Sequence, residues 1–282
     1  MARSQPITIM AFVDDLLFGS KIEAVARHLG YALLFVPTAV SIAPDTPQTD
    51  DMSRPGEPIH GRAGQLTTYI VAQQPALLIF DLDNAQIPWQ KWLAPLKTSP
   101  ATRRIPALCY AAHVHKDLLE KATLHGADKV VSRGALSANL PDLLQEMVRV
   151  PDYEALTAAC GLPLSARAIE GLELFNQGEY YECHHALEDA WNADTSVGRN
   201  LYKGILQVAV GYMQIERGNY NGGVKLLLRM RQWLDPLPAV CRGIEVGRLR
   251  DEATAVLEAL QKLGPERIAE FDRTLFKPIV WS

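Results

Sequence analysis

The chain has 282 residues, 48% hydrophobic and 21% charged, with a formal net charge of −4. That is about twice the usual length of one hydrophobic core, so two domains are expected. No window approaches the ~20 uncharged apolar residues of a membrane helix, and the N-terminus lacks a basic region, greasy run and cleavage site, so the expectation is a soluble, cytoplasmic protein without a membrane partner. Up to position 150 there are 14 basic and 14 acidic residues, and after it 14 and 18, so neither half carries the positive field that nucleic acid requires. Cys109, Cys160, Cys183 and Cys241 form no C-x-x-C pair, which argues against a zinc site or a disulfide framework. They read as four idle thiols in a reducing compartment.

Short apolar runs at 7–13, 31–36, 76–80, 105–111 and 129–132 alternate with amphipathic stretches at 19–29, 61–74, 89–97, 113–125 and 138–150. Five such β-α units predict an α/β domain over residues 1–150, with a parallel sheet covered by helices on both faces. The interruption at 37–60 holds Pro37, Pro44, Pro47, Pro55 and Pro58 among acidic residues and is expected to be a mobile loop.

After Val150 the pattern is helical only. Residues 151–164 read as a linker with a short helical piece, and 165–282 as an all-α domain with helices near 165–177, 179–192, 199–217, 220–234, 247–263 and 265–275. Gly178-Glu179-Tyr180 and Gly218-Asn219-Tyr220 repeat between helices and resemble tetratricopeptide turns. Two copies are too few for an open solenoid, so a closed helical bundle is expected.

Asp14 and Asp15 follow the first strand and Asp81 ends the third, where doubly wound sheets bind their ligands. Three carboxylates there repel unless a cation joins them, and oxygen ligands suit Mg²⁺. With Ile105-Pro106 and Gly126-Ala127-Asp128 in the same order, residues 5–150 resemble the response-regulator receiver domain. The resemblance implies a flavodoxin-like sheet of order 2-1-3-4-5, with Asp81 as phosphoacceptor candidate and a place in two-component signalling. Receivers carry Ser or Thr where Ala111 stands, and Lys where Ser132-Arg133 stand. Without that hydroxyl and ammonium the incoming phosphoryl group loses its stabilising contacts, so a degenerate receiver kept for docking or dimerisation is expected.

In the helical half, Tyr180, Cys183, Leu187 and Trp191 fall on one helical stripe. His184 and Glu188, four residues apart, lie along its edge, while Glu182, His185 and Asp189 point to solvent. The next helix carries Gln207 among apolar residues, and glycines at 204 and 211 that allow close approach of a neighbour. Gln207 needs a partner, and His184 or Glu188 is expected to provide it. Phe175, Asn176, Gly178, Glu182, His184, Leu187, Glu188 and Trp191, then Arg199, Gly204, Gln207, Arg217-Gly218-Asn219 and Gly223, resemble a bacterial helical family known only as domain of unknown function number three hundred and nine. His185 stands where that family commonly has Glu, and Gln214 where it often has His.

A buried polar network fixing helix packing is the expectation for His184 and Glu188 with Gln207, and Glu182, Trp191, Arg199, Arg217 and Asn219 complete the candidate polar site of this domain. The expected function is regulatory: a degenerate receiver joined to a helical domain that binds a partner protein or a small ligand, with a homodimer as one form. The competing reading is a metal-dependent or acid-base hydrolase using His184 and Glu188, with Glu182 as a further candidate ligand to a divalent ion.

Overall fold

A computed structural model describes residues 7–42 and 61–282, and these divide into two compact units at the Val150–Pro151 boundary. The first unit runs β1 (Thr8–Phe12), α1 (Leu16–His28), β2 (Ala32–Phe35), α2 (Gly61–Gln73), β3 (Leu77–Asp81), α3 (Trp89–Thr98), β4 (Ala107–Ala111), α4 (Lys116–Leu124), β5 (Lys129–Ser132) and α5 (Arg133–Met147). The strands are all parallel, in the flavodoxin-like order β2-β1-β3-β4-β5.

Both faces of the central strands are buried, which is why they read as continuous apolar runs. Met10, Phe12, Leu78 and Phe80 pack against Leu66 and Ile70 of α2 and Trp92 of α3. On the other face Ile9, Ala11 and Ile79 meet Ile22 of α1 with Leu136 and Leu140 of α5. Helices α1 and α5 begin earlier than the apolar period suggested, because Asp15 accepts a bond from the Phe18 N–H and Ser132 accepts one from the Ala135 N–H. Pro141 then sits inside α5, with Asn139 kinked out of helical geometry just before it. Of the loop expected at 37–60, residues 43–60 lie outside the described residues, and Ala39–Ser41 form a 3-10 turn.

The second unit contains α6 (Tyr153–Cys160), α7 (Ala166–Asn176), α8 (Tyr180–Ala193), α9 (Asn200–Glu216), α10 (Tyr220–Leu234) and α11 (Val246–Leu263), followed by 3-10 turns Pro265–Glu270 and Arg273–Leu275. Gly178 and Gly218, at φ of +83° and +72°, close the turns before α8 and α10, a backbone region that glycine enters without strain. Helix α9 is the centre: Leu201, Tyr202, Ile205, Val208, Ala209 and Tyr212 are each at most 1% exposed. Gly204 and Gly211 let α10 approach, since a Cβ on Gly204 would lie 2.2 Å from Leu234 Cδ2 and one on Gly211 would touch Leu227.

One expectation is corrected in this unit. Residues 151–164 hold a short helix, α6, which is covalently joined to the unit's core. Cys160 and Cys241 form a disulfide, with Cα atoms 4.4 Å apart across a sequence separation of 81, so the expectation of four idle thiols fails for this pair. The adjacent Arg242 is buried. Its guanidinium donates to Ala159 O, Tyr202 Oη and Ser196 Oγ and pairs with Asp194 at 2.7 Å. Cys109 and Cys183 are buried free thiols, and burial pushes the Cys183 thiol up to about 12.

Candidate functional site

Parallel strands place all their carboxyl ends on one edge, so Asp15 after β1, Asp81 at the end of β3 and Arg133 after β5 converge despite their separation in sequence. Arg133 Nη1 donates to Asp15 Oδ2 at 3.0 Å and Nη2 to Asp81 Oδ2 at 2.9 Å, with Asp83 Oδ2 at 3.5 Å from the same nitrogen. The guanidinium also lies 5.5 Å from the ring centroids of Phe18 and Tyr110.

Asp81 is 1% exposed. Its Oδ2 accepts from Tyr110 Oη at 3.0 Å as well as from Arg133, and its Oδ1 accepts from the Asp83 N–H at 3.1 Å. Burial pushes its pKa above the ordinary carboxylate value, against the opposing pull of Arg133 and these hydrogen bonds. Burial also pushes Asp83 upward, but its bonds from His115 Nδ1 (2.6 Å) and the Ala112 N–H (2.8 Å) leave it below the ordinary value. Asp14 is exposed and joins neither group.

The strand ends differ from the expected acidic pocket: Asp15 and Asp81 meet, Asp14 does not, and the cation joining them is a side chain. Mg²⁺ does not fit beside it, because a divalent ion bound by Asp15 and Asp81 would have to displace a permanently charged, doubly bonded guanidinium. Asp83 and Tyr110 were not singled out from the sequence. The available signal was a phenol in a fully buried strand, which must find an acceptor. Beside this pocket lies a cleft of about 520 Å³ lined by Asp83, Asn84, Trp89, His115 and Asp117.

On α8 the arrangement also departs from expectation. The helix buries Tyr180, Cys183, Ala186, Leu187 and Ala190. The side chains of His184 and Glu188 remain 33% and 49% exposed, with Nδ1 and Oε2 4.0 Å apart, too far for a hydrogen bond. His185, expected to point away, joins them: donor atoms of His184, His185 and Glu188 all lie within 4.8 Å of one another, while Glu182 is exposed outside the group. Gln207 is buried, and its Oε1 has no hydrogen-bond partner among the described residues. The expected sealed network of His184, Glu188 and Gln207 is therefore not formed.

Trp191 and Arg199 do meet, the guanidinium lying 5.0 Å from the indole centroid, and Lys203 Nζ lies 4.4 Å from the same ring. Asn219 serves a turn: its Oδ1 caps α10 at the Gly222 N–H and its Nδ2 donates to Gln214 Oε1. Arg217 is exposed at the end of α9. The eight residues expected as one polar site thus do not form one connected group.

Among solved structures, residues of the first unit are similar to a response-regulator receiver domain from Rhodospirillum rubrum (18% identity, 52% of this chain and 98% of that one, TM-score 0.37). They are similar as well to the receiver domain of a sensor histidine kinase from Pseudomonas aeruginosa, solved with magnesium in its active-site cleft (15% identity, 51% and 98%, TM-score 0.38). No curated protein matches the chain. Residues 168–226, spanning most of α7, all of α8 and α9 and the first half of α10, match the family described as Domain of unknown function (DUF309).

Proposed function

We propose that the chain is a cytoplasmic, bacterial signalling protein in which the receiver-like unit no longer runs a phosphorylation cycle and the helical unit binds a partner protein or a small ligand. Phosphorylation of a receiver aspartate needs a free carboxylate oxygen, a divalent cation beside it and donors to the incoming phosphoryl group. In this chain both oxygens of Asp81 accept hydrogen bonds, Ala111 supplies no hydroxyl, and the Ser132 hydroxyl caps α5. The observation that carries the reading is the Arg133 guanidinium bridging Asp15 and Asp81. It gives the two carboxylates a cation from the chain itself, with no soluble ion, which suits a unit used for docking or for forming a homodimer.

The test is incubation with a small phosphodonor and Mg²⁺, followed by intact-mass measurement. The expected spectrum is unchanged, and a phosphoryl adduct mapped to Asp81 would overturn the proposal.

A second reading, hydrolysis at the helical unit, draws support from the open convergence of His184, His185 and Glu188. Those donors face solvent instead of closing a packed interface. Hydrolytic turnover by the purified chain that disappears in Glu188→Gln would favour it, and turnover unchanged in that variant would remove it.

A further inference from the structure

We infer that α8 carries a binding site for a borderline transition-metal dication of the Zn²⁺ class, built from His184, His185 and Glu188. This inference is independent of the receiver reading, since it uses no residue of the first unit.

Helical spacing creates the site. Residues three and four apart stack along one side of a helix, so the Glu188 carboxylate comes over both His185 and His184. The opposite side of α8 is anchored by the buried Cys183, Ala186, Leu187 and Ala190, which fixes the backbone that presents the donors. Tyr181 packs edge-on against the His185 ring at 4.8 Å, and the two imidazoles meet edge-on at 5.3 Å. Among the described residues, this is where three such donors gather within 4.8 Å.

Two further properties point to a cation. No hydrogen bond joins His184 to Glu188, whose closest approach is 4.0 Å, so these groups are not consumed in holding the helices together. Residues 179–189 also contain Glu179, Glu182, Glu188 and Asp189 with no Lys or Arg, so the local field draws positive ions. Arg167 comes from α7 to pair with Asp189, and that carboxylate is outside the donor group.

Two imidazole nitrogens and one carboxylate select a first-row transition metal over Mg²⁺ or Ca²⁺, which prefer oxygen alone. Two donors on a tetrahedral ion with bonds of about 2.0–2.1 Å sit about 3.3 Å apart. The present separation between His184 Nδ1 and Glu188 Oε2 is 4.0 Å, and the site requires it to shorten by about 0.7 Å, a change within the reach of partly exposed side chains. Three protein donors leave at least one position for water or an incoming ligand, the open arrangement of an exchangeable centre.

The test is calorimetric titration of the tag-free full chain with ZnCl₂. One ion per chain is expected, with affinity reduced about tenfold or more in each of His184→Ala, His185→Ala and Glu188→Gln. Glu182→Gln and Asp189→Asn should bind as the parent does. Co²⁺ in place of Zn²⁺ should give visible d–d absorption that vanishes in His184→Ala, and far-ultraviolet circular dichroism of each variant checks that α8 is retained. A parent chain that takes up no stoichiometric Zn²⁺ overturns the inference whatever the variants do. So does undiminished binding in the three donor variants, or an equal loss in Glu182→Gln, which would reduce the effect to unspecific attraction.

Discussion

Replacing Arg133 by Ala removes the cation that bonds Asp81 among the described residues, and the cost follows from geometry. The Arg133–Asp81 contact is 2.9 Å, with the carboxylate 1% exposed and the guanidinium side chain 33% exposed. Two unit charges with centres about 4 Å apart at an effective dielectric of about 20 attract by about 4 kcal/mol. Because a third of the arginine lies in water, screening brings the expected loss to about 2–3 kcal/mol at pH 7, below the ~3–5 kcal/mol of a fully buried pair. The loss depends on pH in a definite sense. Burial already holds the folded pKa of Asp81 above its unfolded value, so its charge opposes folding at neutral pH, and that opposition fades as pH falls through the folded pKa. Without Arg133 that pKa rises further, so the variant's deficit should be smaller at a mildly acidic pH than at neutral pH. Hydrogen exchange over β3 and β4, corrected for intrinsic rates, reads this unit separately from the helical one. Exchange at neutral pH should speed up by about 30- to 150-fold. Asp81→Asn in the Arg133→Ala background should recover part of the protection by removing the stranded charge. Equal protection in parent and variant at both pH values would show that the bridge carries no weight, and the account of the pocket would fall with it.

Two other outcomes follow from packing and covalent closure in the helical unit. Converting Cys160 and Cys241 to Ala opens a covalent loop across a separation of 81, for which chain entropy gives about 4.5 kcal/mol. Thermal unfolding of the full chain should drop accordingly, and reductant should lower the parent toward the variant; a parent indifferent to reductant would mean that the bridge is not formed. Gly204→Ala drives a methyl group to 2.2 Å from Leu234 Cδ2, and the overpacking should cost about 1–3 kcal/mol in urea denaturation. An unchanged midpoint would show that Leu234 yields without strain.

What could be read from the sequence divides along the range of the interaction. The three central strands were legible because each is buried on both faces, the edge strands because they are short and apolar, and the helices because their apolar period is local. The sheet order matched the one that the receiver resemblance implied. The partner joining those acids was not legible, since Arg133 reaches Asp15 across 118 residues and Asp81 across 52. The same limit hid the Cys160–Cys241 bridge. On α8 the difficulty was phase. A stripe of Tyr180, Cys183, Leu187 and Trp191 placed His184 and Glu188 at a buried edge, but the helix in fact turns Ala186 and Ala190 inward, and Trp191 stays only partly covered. Small residues carry a weak periodic signal yet pack closely, so two alanines rotated the buried face away from the estimate. That rotation leaves both imidazoles and Glu188 on the open side together. The two carboxylate clusters therefore differ in kind: at Asp81 burial obliges the protein to provide its own cation, whereas at Glu188 solvent carries the charge and no internal cation is required.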